Sequence, residues 1–123
     1  MNDTIATQKE IISYTDQIRI LIKEDTNFAV INLLNSKGKL SLPEIDENLK
    51  KPEHIGNSLK QLIEFGLLSE SFERRSPIEA YFELDKLGKI VLDTLGINKK
   101  GSEKYVADYL SGKLKGELQN IIP

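Results

Sequence analysis

The sequence contains no cysteine and only one histidine among its 123 residues. Without thiols the chain cannot form disulfides, thiolate zinc sites or cysteine nucleophiles. A single histidine leaves few nucleophile–base pairs, and the sequence has neither a glycine-rich phosphate loop nor an H-E-x-x-H motif. We therefore predict no enzymatic activity, no catalytic residue, no metal site and no cofactor.

Long apolar runs are also missing, since none approaches the ~20 residues that a membrane-spanning helix needs. The composition, 39% hydrophobic and 29% charged, is typical of a soluble globular protein. The length suits one hydrophobic core. We predict a single cytoplasmic domain made of an N-terminal helix (1–25), a core (26–96) and a C-terminal helix (97–123).

The sequence also lacks an excess of positive charge. The formal net charge is −2, whereas DNA-binding domains usually gather lysine and arginine on one face, because neutralising phosphates releases counterions. The acidic and basic residues from 37 to 75 balance. Any basic face must therefore come from folding and not from composition.

The central stretch, Ser41 to Leu68, predicts two short helices joined by a tight polar turn. Ser41 and Glu44 form an S-x-x-E capping box, in which each side chain bonds the other residue's backbone amide. Pro52 disfavours helix for the residue before it and so marks the turn, and the second helix is predicted to start there. Gly66 supplies the left-handed stop.

Two strands follow, Leu67 to Glu73 and Ile78 to Leu84, because apolar and polar residues alternate along the second. Apolar residues at helical spacing predict further helices before and after these elements: Thr4 to Lys23, Thr26 to Gly38, Asp85 to Leu95, and one from about Ser102. The predicted fold is mostly α with a small β-hairpin wing, a winged helix-turn-helix with extra N- and C-terminal helices. Its predicted core comprises Phe28, Ile31, Leu34, Ile45, Leu49, Ile55, Leu59, Leu62, Leu68, Phe82 and Leu84.

Two motifs carry a resemblance to known proteins. The string LKQLIEFGLL, Leu59 to Leu68, resembles the exit of the recognition helix in ArsR- and MarR-like winged-helix regulators. The string FELDKLG, Phe82 to Gly88, resembles their second wing strand running into the next helix. Together the similarity covers roughly Thr26 to Leu95.

In such a fold the outward face of the second helix lies in the major groove. The resemblance implies base-edge contacts from His54, Asn57, Ser58 and Gln61, and a phosphate contact from Lys60. Independently of the resemblance, two adjacent arginines at the predicted wing tip, Arg74 and Arg75, can reach phosphates or a narrow minor groove. Lys50 and Lys51 add positive charge at the inter-helix turn. A solvated helix face and a charged turn that keeps the sheet edge soluble are the competing interpretations.

Two hypotheses remain open from the sequence. The first is a sequence-specific transcriptional regulator that binds duplex DNA as a homodimer. The predicted dimer contacts are apolar stripes on the terminal helices, since exposed stripes of that size mark partner surfaces: Ile11, Ile18 and Leu21, with Val106, Leu110, Leu114 and Leu118. The alternative is a winged-helix protein–protein interaction module with no nucleic-acid binding.

Overall fold

The computed structural model describes residues 14–74 and 77–114. This part of the chain is mostly helical with one three-stranded antiparallel sheet, which confirms the predicted winged-helix fold class. In chain order the elements are α1 (14–23), α2 (Asp25–Lys37), β1 (Leu40–Ser41), α3 (Leu42–Leu49), α4 (Ile55–Glu64), β2 (Leu68–Glu73), β3 (Glu79–Leu84), α5 (Lys86–Thr94) and α6 (Lys99–Leu110). None of the described helices is long and apolar enough to cross a membrane.

Helix α2 is the centre of the core, because its apolar residues occupy every side of the helix. Phe28, Ile31 and Leu33 are fully buried. The helix packs against α3, α4, α6 and the sheet. The ring of Phe28 meets that of Tyr105 on α6 edge to face, with ring centroids 5.4 Å apart. Helix α2 is therefore the scaffold on which the helix-turn-helix and the sheet are mounted.

The sheet has the strand order β1-β3-β2, and the β2–β3 hairpin is the wing. Its register pairs Leu68 with Leu84 and Phe72 with Ala80. Leu68 and Leu84 are buried, whereas Phe72 is 63% exposed, so the tip of the wing projects beyond the core. The prediction that β3 begins at Ile78 is wrong: the strand begins at Glu79, and Ile78, directly before it, is 73% exposed.

The junction between α4 and the wing depends on two glycines. Gly66 has a φ of 78°, which confirms the predicted left-handed stop, and the next amide, of Leu67, donates to the carbonyl of Leu62 at 2.9 Å. Gly88, in the first turns of α5, lies so close that an added Cβ would sit 2.5 Å from the Leu67 carbonyl oxygen. Helix α5 therefore packs directly on the segment that joins α4 to β2.

Helix α6 begins at Lys99, three residues before the predicted start. The side chain of Asn98 caps it by accepting a hydrogen bond from the Gly101 amide at 2.8 Å, so the polar residues from Lys99 to Gly101 form the first turn of the helix. The amide of Asn35 on α2 donates to the Ser102 hydroxyl at 2.7 Å. This bond helps to fix α6 against the core helix.

The predicted dimer contacts on the terminal helices are partly wrong. Leu21 and Leu114 are buried, at 9% and 2% exposure, because residues of the chain itself cover them, so neither offers a surface to a partner. Ile18, Val106 and Leu110 are half-buried. The two remaining predicted contacts, Ile11 and Leu118, lie outside the described residues.

Candidate nucleic-acid interface

The amino end of α3 is fixed by the capping box that the sequence predicts. The Ser41 amide and hydroxyl donate to the Glu44 carboxylate at 3.0 and 2.9 Å, and the Glu44 amide donates to the Ser41 hydroxyl at 3.4 Å. These bonds, the one from the backbone amide first, hold the pKa of Glu44 below its usual value of 4.5. The capping box therefore fixes the residue at which α3 begins.

The turn between α3 and α4 is made without glycine, although it uses left-handed backbone. Lys50, Lys51 and His54 have φ values of 57°, 53° and 58°. The Lys51 amide closes the turn by donating to the Asp46 carbonyl at 2.7 Å. The three residues with left-handed backbone are all exposed, so the turn presents two lysines and a histidine to solvent.

Helix α4 starts later than predicted, at Ile55 and not at Pro52. His54 therefore precedes the helix as its left-handed N-cap and makes no side-chain cap bond. Ile55 is only half-buried, so its predicted place in the core is partly wrong, because it lies in the first turn at the edge of the core. The other ten predicted core residues are buried as expected.

Two faces of α4 can be distinguished by exposure. Leu59 and Leu62 are buried at 3% and 0% exposure, and they anchor the inward face. Asn57, Lys60 and Gln61 are exposed, in agreement with their predicted outward position. The carboxyl end of α4 is held by α1, since the hydroxyl of Tyr14 donates to the Phe65 carbonyl at 2.7 Å and the two rings stack.

The predicted outward position of Ser58 is wrong, since it is 4% exposed. Ser58 directly precedes Leu59 and lies four residues before Leu62, so its side chain faces the core with them. Glu64, which was not among the predicted residues of this face, is also exposed. The spacing Asn57, Lys60, Glu64 follows the three-and-four rhythm of one helix face and could have revealed it.

The wing carries charge of both signs. Arg74 is exposed directly after β2, in agreement with its predicted position at the tip, and Arg75 lies outside the described residues. The strands themselves are acidic. Glu73 pairs with Lys39 at 4.0 Å, and the Lys39 ammonium also lies 5.5 Å from the centre of the Tyr81 ring. Positive charge on the wing is therefore concentrated at its tip.

The described residues contain no group of three or more histidine and acidic side chains that could hold a metal ion. What the surface offers is side-chain hydrogen bonding and charge. Amides and a lysine lie on the outward face of α4, two lysines and a histidine lie on the turn before it, and an arginine lies at the wing tip.

No family model and no curated protein matches the chain. Among solved structures it is similar to the crystal structure of the transcriptional regulator PA4135, with a TM-score of 0.54 and 12% sequence identity. The similarity covers 98% of this chain and 93% of that one. Membership of the ArsR- or MarR-like families stays a prediction. At this identity the likeness is one of fold, and it extends over nearly the whole of both chains.

Proposed function

We propose that the protein is a sequence-specific transcriptional regulator that binds duplex DNA through α4. The observation that carries the proposal is the exposed face of α4, where amide and basic side chains project from a helix anchored on its other side by Leu59 and Leu62. The fold shared with a transcriptional regulator supports it. In helix-turn-helix proteins the second helix of the pair enters the major groove, with its amino-terminal residues at the base edges.

Each exposed side chain on this face has a chemical role in the proposal. Asn57 and Gln61 can each donate and accept at once, which suits the N6/N7 edge of adenine. Lys60 neutralises a phosphate, and Lys50 and Lys51 do so from the turn. His54 donates to a base edge or a phosphate. Ser58 has no role, because it is buried.

The acidic residue on α4 limits which part of the helix can meet DNA. Glu64 follows Asn57 by seven residues, which is about 10 Å along the helix at 1.5 Å per residue. We place the duplex against α4 from its amino end to Gln61, beside Lys50 and Lys51, with Arg74 and Arg75 of the wing reaching a neighbouring phosphate or the minor groove. Glu64, the last residue of α4, then lies about one turn beyond Lys60 and Gln61, at the edge of the contact.

In this proposal the protein binds as a homodimer, with one α4 per half-site about one helical turn apart. A groove of about 390 Å³ between α1 and α5 supports a partner surface on that side. It is lined by Ile18 and Leu87, and Ile90 at its border is 58% exposed. The predicted dimer stripe on α1 contains two described residues, Ile18 and Leu21. Leu21 is buried, whereas Ile18 is half-buried and lines this groove.

The test is fluorescence anisotropy of labelled duplexes at a series of salt concentrations. Binding should weaken steeply with salt, and Lys60→Ala or Arg74→Ala should each flatten the slope of log K against log salt by about 1.8, because each substitution removes one phosphate contact from both protomers of the dimer. Asn57→Ala should cost about 1–3 kcal/mol on a duplex selected from a random pool and little on random DNA. Lys104→Ala, at an exposed position on α6, is the control and should change neither quantity. Absence of salt-sensitive binding at ~50 mM salt would contradict the proposal.

The protein-interaction alternative is favoured by one specific observation, the acidic wing. Glu70 and Glu83 are exposed on its strands, and Glu73 and Glu79 are half-buried there. Like charge on the strands repels phosphate, so the wing can contact DNA only at its tip. If the anisotropy experiment shows no binding, the interaction module becomes the function that the structure supports.

A further inference from the structure

A groove of about 290 Å³ runs between α4 and the wing, and we name it the wing groove. Leu42, Ile63 and Phe82 give it an apolar floor, and Glu64 and Glu70 lie on either side of it. Among the described residues neither acid is within 4.0 Å of a cationic group, not even Glu64 of Lys60, which is one turn away on the same helix. The wing groove therefore combines apolar surface with two carboxylates, and Lys60, which also lines it, forms an ion pair with neither of them.

The apolar surface continues from the wing groove towards the wing tip. Strand residues two apart share a face, so Phe72 lies on the same face of β2 as Glu70. Its partner across the ladder is Ala80, two residues from Phe82. Phe72 is 63% exposed and lies outside the hydrophobic core that the described residues form. The sheet thus offers an apolar side chain beside the acidic groove.

The same strand is an edge of the sheet. In the described chain β2 has β3 as its only ladder neighbour, so alternate backbone N–H and C=O groups point away from the sheet. Charges on an edge strand ordinarily keep it from pairing with other chains. That purpose accounts for Glu70 but not for the exposed Phe72, which adds apolar surface to an open edge.

We propose that β2 accepts an extended segment of a partner protein as an additional strand, with basic and apolar side chains facing the wing groove. Backbone hydrogen bonds to β2 would supply affinity, and alternate side chains would supply specificity. A lysine or arginine of the segment would lie between Glu64 and Glu70, and an apolar side chain two residues away would cover Phe72. The chemistry of the groove fits a segment with alternating basic and apolar residues on one face.

Two other occupants fit less well. Duplex DNA would bring phosphates against Glu64 and Glu70. A second copy of this chain, paired through β2, would place Glu70 and Glu73 against strands that carry the same acids. The proposal does not rest on DNA binding. If both hold, the occupied wing groove lies beside Lys60, so the partner would compete with DNA for this side of α4.

The test is an NMR titration of the full-length protein with a ten-residue peptide, in which valine and lysine alternate on one face and threonine fills the other. Saturable shifts of the β2 amides and of Ile63 are expected. Glu70→Lys should weaken the peptide about tenfold, because it removes an attraction and adds a repulsion. The matched control is Glu83→Lys, the same charge change at an exposed position on the opposite face of the sheet, which should leave the affinity unchanged.

A second peptide, with N-methyl groups on the amides of alternate residues, tests the backbone pairing and should not bind. No shift of the β2 amides with the first peptide overturns the proposal. Equal weakening of peptide binding by Glu70→Lys and Glu83→Lys also overturns it. A third contrary result is a shift of the β2 amides on addition of duplex DNA but not of the peptide. The peptide titrations are carried out without DNA, so a negative result in them is independent of a negative result in the anisotropy experiment.

Discussion

The two helices of the helix-turn-helix pair begin in opposite ways. Helix α3 starts with a reciprocal capping box between Ser41 and Glu44. Helix α4 starts after His54, a left-handed residue whose side chain forms no cap bond. Both helices nevertheless bury leucines in the same core, Leu49 from α3 and Leu62 from α4.

The difference separates two ways of fixing a helix. The start of α3 is specified locally, since a serine and a glutamate three residues apart satisfy each other's amides. The start of α4 is specified from a distance, by the core contacts of its inward face and by the closed turn before it. The His54 side chain therefore takes no part in capping α4.

The largest expected effect is a loss of folding stability when a buried leucine of either helix is shortened. Comparing the two helices shows whether they depend equally on the core. Leu49→Ala and Leu62→Ala should each lower the free energy of unfolding by about 2–5 kcal/mol, through lost burial and the cavity left behind. Chemical denaturation measures both, and Gln61→Ala, at an exposed position of α4, should stay within about 0.5 kcal/mol of wild type. A Leu62→Ala variant as stable as wild type would show that the inward face of α4 is wrongly identified.

Sequence reasoning succeeds where the cause is local and fails where it is not. The Ser41–Glu44 box and the Gly66 stop were predicted because neighbouring residues alone determine them. The start of α4 at Ile55 was missed because it depends on left-handed backbone at Lys50, Lys51 and His54, which no residue type signals. The burial of Ser58 was missed because a small polar residue fits either face of a helix and only packing decides.

The same distinction applies to the candidate interface. Exposure of Asn57 and Lys60 followed from helical periodicity once the apolar residues were assigned inward. The presence of Glu70 near them did not, because Glu70 on β2 and Glu64 on α4 line the same groove only after the chain has folded. Periodicity locates a face, and tertiary structure determines which other residues share it.

An intermediate effect is expected where the capping box is broken. Ser41→Ala should lower the free energy of unfolding by about 0.5–2 kcal/mol, because the Glu44 amide loses its side-chain acceptor. The loss should depend on pH. The pKa of Glu44 is depressed in the folded protein, so its contribution is complete above the usual pKa of 4.5 and disappears as pH falls through the folded value.

Denaturation of wild type and Ser41→Ala at several pH values checks this prediction. The difference in stability should be largest near neutral pH and should shrink in acid. Glu44→Gln is the control, since an amide does not titrate in this range and the variant should lose this part of the pH dependence. A difference between wild type and Ser41→Ala that stays constant in acid would mean that the carboxylate does not contribute through the box.

The smallest expected effect concerns the uncapped start of α4. His54 has φ 58° and ψ 30°, a left-handed conformation that costs a residue with a Cβ about 1–2 kcal/mol and costs glycine little. His54→Gly should therefore raise the free energy of unfolding, by no more than about 1 kcal/mol after the entropy that glycine loses on folding. His54→Ala separates backbone strain from loss of the imidazole, because alanine is as strained there as histidine and should give no gain. If alanine stabilises the protein as much as glycine does, the imidazole and not the backbone is the source of the cost, and the start of α4 carries no conformational strain.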